Sequence, residues 1–192
     1  MRVLLLDGYE PSNPDRIITD FAQKQLRKQG HEVALITCQD WNLVMSSDER
    51  AAYHSDQPII SDDVQDSVNR LRQAQAMLFC YPSQAFSVPA CVKGWLERVL
   101  VPGVGFVFDD QHKVKPGMTN IRRVGALTTS PHTLWRRIRA RDAGKRTTAR
   151  TLRLSCHRRC CITFKVLPNR SSTKSFDPVK TQATITHALK KW

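Results

Sequence analysis

Two unbroken apolar runs, Val3-Leu4-Leu5-Leu6 and Ala76-Met77-Leu78-Phe79-Cys80, constrain this chain more than any other feature. A strand with one face in water alternates apolar and polar residues. A strand with no polar position needs cover on both faces, as in a parallel sheet between helical layers. Helical signals between the runs fit that arrangement. Asn13-Pro14 offers a cap and a first-turn proline, after which Ile17, Ile18, Phe21, Ala22 and Leu26 recur at helical spacing and Gly30 closes the helix. Val33 to Thr37 reads as a second strand, and Trp41 to Pro58 as an irregular segment. Ser61-Asp62-Asp63 then opens a helix carrying Val64, Val68 and Leu71 on one face, with acidic residues at the positive end of its dipole.

The pattern continues to the end of the chain. Pro89 starts a helix that runs through Val99 and breaks at Pro102-Gly103; Phe106-Val107-Phe108 is a short extended piece. Arg123 to Leu127 and Ile162 to Leu167 are the fourth and fifth strands. Asp177-Pro178 caps a last helix with Ile185, Ala188, Leu189 and Trp192 on one face. Five strands interleaved with helices over 192 residues predict an α/β doubly wound open sheet, expected as a single domain over residues 1–192. Neither GxGxxG after the first strand nor GxxxxGK[ST] is present, so dinucleotide-fingerprint and Walker-loop chemistry are not indicated.

Composition narrows the function classes. With 41% apolar and 24% charged residues the chain is neither collagenous nor largely disordered. Its apolar runs fall far short of the roughly 18 residues of a membrane span. Val3 to Leu6 is followed at once by Asp7-Gly8, a poor signal peptide, so a cytoplasmic protein is expected. Charge is divided along the chain. Residues 1–110 hold 10 Lys or Arg against 15 Asp or Glu, a net −5; residues 111–192 hold 20 against 2, a net +18. Such a basic half attracts anions, but no nucleic-acid module signature accompanies it, and nucleic acid is not the expected partner. The cluster Cys156-His157-Arg158-Arg159-Cys160-Cys161 lacks a second ligand pair at zinc-site spacing, so free thiols before a strand are expected and no metal.

The segment from Tyr81 to Leu100, YPSQAFSVPACVKGWLERVL, resembles the P-x-x-x-F-x-x-P-A-x-x-K-G-W-x-[DE]-R-V segment of the flavodoxin-like NAD(P)H:quinone oxidoreductases, the family that includes the modulator of drug activity B proteins. Gly105-Phe106 followed by an aspartate pair, and the stretch Gly125-Ala126-Leu127-Thr128-Thr129, are similar to further parts of that family. The resemblance implies a flavodoxin-like five-stranded parallel sheet of order 2-1-3-4-5 with helices on both faces. It also implies bound FMN or FAD, NAD(P)H as co-substrate, a quinone-like acceptor and a homodimer. The flavin is expected at the carboxyl ends of strands one, three and four, where open α/β sheets bind ligands.

On that basis the loop from Gly8 to Arg16 meets the flavin phosphate, with Ser12, Asn13 and Arg16 as its contacts, although Glu10 and Asp15 would repel a phosphate they faced. Ser83, Gln84, Ala85 and Phe86 lie along the isoalloxazine ring, with Phe86 either stacking there or packing in the core. Thr128, Thr129 and Ser130 face the pyrimidine side. Pro131 has no N–H where family members commonly have a glycine pair, leaving His132 or Arg136 to supply charge. Trp95 is expected to pack, and Lys93 to pair with Glu97 along the helix. No catalytic acid is identified. Beside the quinone-reductase expectation stands an alternative, a non-catalytic flavodoxin-like module that binds flavin or an anion for regulation or electron transfer.

Overall fold

The computed structural model describes the chain except for residues 41, 43, 54, 56, 57 and 171–175. Its centre is a parallel sheet of β1 (Arg2–Asp7), β2 (Glu32–Thr37), β3 (Ala76–Pro82), β6 (Arg123–Ser130) and β7 (Cys161–Pro168), in the order β2-β1-β3-β6-β7. This is the expected 2-1-3-4-5 order, because β4 (Phe106–Phe108) and β5 (Val114–Pro116) form a separate antiparallel hairpin. The period of two sorts the apolar strands onto two cores. Leu4 and Leu6, Met77, Phe79 and Tyr81, with Val124 and Ala126, face α3 (Asp62–Gln73) and α4 (Ala90–Val99). Val3 and Leu5, Leu78 and Cys80, with Leu127, face α1 (Ile17–Lys28) and α8 (Pro178–Ala188).

Helix starts follow local chemistry. Asn13 caps a single 3₁₀ turn, Pro14–Arg16, that leads into α1, and Asp177 caps α8 with Pro178 in its first turn. The segment expected to be irregular contains α2 (Ser47–Ala52). Its start is a capping box: the Glu49 N–H donates to the Ser46 hydroxyl, and the Ser46 N–H donates to the Glu49 carboxylate. After β6 come α5 (Leu134–Arg139), α6 (Ala143–Lys145), a π-helical stretch Arg146–Thr151 and α7 (Leu152–Leu154). Gly125 makes room for the Trp192 ring against β6: a β-carbon there would stand 2.5 Å from Trp192 Cζ2.

The helical part of the most recognisable segment, α4, is scaffold. On α4, Trp95 is fully buried and its indole N–H donates to Ser67, while Lys93 pairs with Glu97 at 2.9 Å. Arg98 is buried and clamps three elements. Its guanidinium donates to both oxygens of Asp63 (2.6 and 2.9 Å), to Glu49 (3.0 Å), to the Asn42 carbonyl (2.8 Å) and to Ser61 (3.1 Å). Burial by itself would raise the Glu49 pKa. Bonds from the Ser61 hydroxyl, the Ser46 N–H and Arg98 outweigh it and hold the carboxyl at about 2. The cysteines are free; Cys161 opens β7, while Cys156 and Cys160 are buried beside it.

Candidate flavin site at the sheet switch point

β1 and β3 run side by side, and the connections from them leave in opposite directions, so their carboxyl ends form the switch point where open α/β sheets hold ligands in a crevice. Three loops meet there. The Gly8 N–H donates to the Cys80 carbonyl (2.8 Å), and the Ser83 N–H donates to the Thr129 carbonyl (2.8 Å), which holds the ends of β1, β3 and β6 together. Gly8 is required by close approach, since a β-carbon would fall 2.5 Å from Val92 Cγ2 of α4.

In the first loop the buried Asp7 carboxylate is the organiser. It accepts from the Tyr9 N–H (3.2 Å), the Thr19 hydroxyl (3.0 Å) and Arg16 Nε (2.7 Å). Arg16 therefore departs from the sequence expectation. It is tied to a buried carboxylate rather than held free for an anion, and only its outer Nη groups are left to face one. Asn13 places its side-chain carbonyl on the Asp15 N–H (2.9 Å), leaving its amide donors, and Ser12 is exposed. Asp15 does not oppose a ligand, being buried and accepting from the Arg170 N–H (2.9 Å). Tyr9 is fully buried, and burial pushes its phenol well above the ordinary pKa; its neutral hydroxyl pairs with Thr129 Oγ1 at 3.3 Å.

The second loop is strained. Gln84 and Ser87 exchange both backbone hydrogen bonds (3.1 and 2.7 Å) around Ala85 and Phe86, whose φ angles are +46° and +60°. Two successive non-glycine residues in the left-handed region cost on the order of 1–2 kcal/mol each, and such strain concentrates at ligand sites. Phe86 is half-buried and stacked on His132, with ring centroids 4.3 Å apart and planes inclined by 23°. The end of β6, which leads into the third loop, is polar but closed. Thr128, Thr129 and Ser130 are buried; Thr128 donates to the Thr129 carbonyl (3.3 Å), and the His132 N–H donates to Ser130 Oγ (3.2 Å).

The structure thus gathers Ser12, Asn13 and Arg16 at one end of the crevice and Ser83, Gln84, Ala85, Phe86, Thr128, Thr129 and Ser130 along the rest. Sequence reasoning missed Asp7 and Tyr9 as organisers. Asp7 could have been marked by a lone carboxylate ending an apolar strand. The left-handed turn has no sequence signal, since neither Ala nor Phe favours it.

These residues fit a flavin in part. Donors remain for a phosphate at Ser12, Asn13 and the outer edge of Arg16. An aromatic face is presented at Phe86, but the backbone donors beside Ser130 are reduced by Pro131 and by the His132–Ser130 bond.

A family model described as the flavodoxin-like fold matches residues 1–140. Ribosyldihydronicotinamide dehydrogenase (quinone) of Homo sapiens is 40% identical over 47 residues, which is 24% of this chain and 20% of that protein. NAD(P)H dehydrogenase (quinone) 1 of Cavia porcellus is 24% identical over 144 residues, 66% of this chain and 52% of that protein. The chain thus spans about half or less of the length of these curated relatives. The solved NAD(P)H:quinone oxidoreductase from Methanothermobacter marburgensis superposes with a TM-score of 0.80 at 18% identity, covering 98% of this chain and 96% of that one. At that identity the likeness is one of fold. With the strand order and a family match over most of its length in agreement, this chain belongs to the flavodoxin-like fold family.

Proposed function

We propose that the protein is a flavin-dependent oxidoreductase that takes a hydride from NAD(P)H and delivers two electrons to a quinone-like acceptor, the substrates using one pocket in turn. The observation that carries this reading is the left-handed turn at Ala85-Phe86, held against His132 where the ends of β3 and β6 meet. Bound FMN or FAD supplies the hydride acceptance and release. Around it, Ser12, Asn13 and the Nη groups of Arg16 hold the phosphate. The Gln84–Phe86 backbone and the Phe86 ring, backed by the stacked His132 ring, fix the ring system, and Arg136 brings positive charge toward the pyrimidine edge. A cytoplasmic homodimer is part of the same reading. Its apolar contact is the β4–β5 hairpin, where Val107 and Val114 are exposed while Phe106 and Phe108 are half-buried. Trp41, expected beside them, lies outside the described residues.

Denaturing the purified protein and identifying the released flavin tests the first step. NADPH or NADH oxidation driven by a soluble quinone tests the second. A protein that neither carries nor takes up FMN or FAD would overturn the proposal. The shortage of backbone donors at Ser130-Pro131 favours one second reading, a flavin-binding module without reductase activity. Bound flavin with no nucleotide oxidation would select it.

A further inference from the structure

Beyond the β6 loop, on the side away from the β1 loop, α5, α6 and the π-helical stretch border an open cavity of about 490 Å³. That is within the usual range of about 300–1,000 Å³ for small-molecule sites. Its lining is cationic: among the described residues Arg137, Arg141, Lys145, Arg146 and Arg150 stand around it against one carboxylate, Asp142. Asp142 is 3.5 Å from Arg137 Nε, too poorly aligned for a hydrogen bond, so that buried nitrogen lacks a hydrogen-bond partner. Lys145 Nζ lies 5.8 Å over the Phe164 ring of β7, which sets the cavity above the β6–β7 half of the sheet. Leu134 and Ile138 form an apolar wall.

The cavity is built onto the flavin crevice. α5 begins two residues after His132, the ring stacked on Phe86, and the Gly144 N–H of α6 donates to the Phe86 carbonyl at 3.1 Å. A β-carbon at Gly144 would meet the Tyr81 hydroxyl at 3.1 Å, so glycine permits this contact. Two irregularities shape the lining. Arg141 has a φ of +56°, and the π-helical turns bring Arg146 and Arg150 to the same cavity. π-helical segments of this kind recur at functional sites.

We propose that this cavity receives the 2′-phosphorylated adenosine end of the nicotinamide nucleotide, so that the protein uses NADPH in preference to NADH. The inference rests on the reading of the crevice as a flavin site. A flavin laid with its phosphate at Ser12–Arg16 and its ring along Gln84–Phe86 leaves the cavity free for the other ligand. Four planar guanidinium groups suit phosphate oxygens better than any neutral group, and a surplus of cations over carboxylate selects the more highly charged of two otherwise equal nucleotides. Leu134 and Ile138 offer apolar contact to the adenine.

The test uses the intact protein and two probes, adenosine 2′,5′-bisphosphate and adenosine 5′-monophosphate, with binding measured by calorimetry at two salt concentrations. The bisphosphate should bind about tenfold more tightly or better, as one added charge-assisted contact implies, and the gap should narrow as salt rises. In Arg146→Ala/Arg150→Ala the gap should collapse to about threefold or less, and the ratio of kcat/KM for NADPH to that for NADH should fall in parallel. Both arginines are exposed, so the variant should fold; unchanged circular dichroism and flavin content check this. Equal affinity for the two probes in the wild-type protein, or an equal loss of both in the variant, would overturn the assignment. If the protein bound no flavin yet discriminated between the probes, the reductase reading would fail while the cavity assignment stood. Reductase activity with no discrimination would leave the reductase reading standing and remove the cavity assignment.

Discussion

Replacing Arg98 with methionine isolates the clamp that fixes α4, and its cost can be worked out partner by partner. The substitution keeps an apolar stem of similar length and removes five hydrogen bonds. Asp63 is half exposed, and water can take the place of the guanidinium there. Glu49 is not reached by water, its side chain being only 5% exposed. The penalty therefore falls on Glu49, whose carboxyl is held at about 2 against an ordinary 4.5. That difference corresponds to about 3 kcal/mol of stability at neutral pH, shared between Arg98 and the serine bonds. Removing one partner of a buried pair costs about 3–5 kcal/mol, and Arg98→Met is expected in that range at pH 7. Because the folded pKa lies below the unfolded one, the stabilisation is complete above about pH 4.5 and fades as pH falls toward 2. The penalty should shrink over the same interval. Urea unfolding followed by circular dichroism at pH 7, 5 and 3 measures this, with Glu49→Gln and the double variant completing a cycle. A coupling of about 1.5 kcal/mol or more between the two positions is expected at pH 7. A penalty that is the same at every pH, with no coupling to Glu49, would refute the reasoning and reduce Arg98 to packing.

Arg16→Ala should destabilise even the flavin-free protein, by about 2–4 kcal/mol, because it leaves the Asp7 carboxylate buried without its cation. An unchanged melting temperature would mean that Thr19 and the Tyr9 N–H satisfy Asp7 alone. Ala85→Gly should raise stability by about 0.5–1 kcal/mol by relieving a left-handed alanine, as read from urea midpoints; a loss would contradict the turn geometry. Gly125→Ala should displace Trp192, red-shift tryptophan emission and cost about 1–3 kcal/mol, whereas unchanged emission would show that the ring does not lie on β6.

The sheet was legible because its strands are apolar in unbroken runs and alternate with helices, while its order followed from the family resemblance carried by Tyr81 to Leu100. β6 extends past the expected Leu127 because Thr128, Thr129 and Ser130 are polar yet buried, their hydroxyls closed on neighbours inside the protein. α2 was present in the sequence as Ser46-x-x-Glu49, but six residues without an apolar stripe left no periodicity to find. Residues 134–154 were illegible for a related reason. Leu134, Trp135 and Ile138 look like a core-facing stripe and are 64%, 70% and 60% exposed. At the candidate site, the loops were located by position while the role of Arg16 was not. Its partner Asp7 is nine residues earlier and buried at the end of a strand, a pairing that only the fold brings about.

The strand order also turns a property of the sequence into one of shape. β2, β1 and β3 come from the first 82 residues, and β6 and β7 from residues after 122, so the boundary between acidic and basic stretches runs between two neighbouring strands. One side of the sheet derives from sequence of net −5 and the other from sequence of net +18, although α8 of the basic stretch packs against α1. In an external field such a body experiences a torque as well as a pull. An anionic solute or surface approaching within the Debye length of about 8–10 Å meets a molecule already rotated to present its basic flank. Biased approach of this kind raises encounter rates by about 10- to 1,000-fold in strongly charged systems and disappears with added salt. The two cores set the fold, while the strand order fixes which way the molecule faces when it meets something charged.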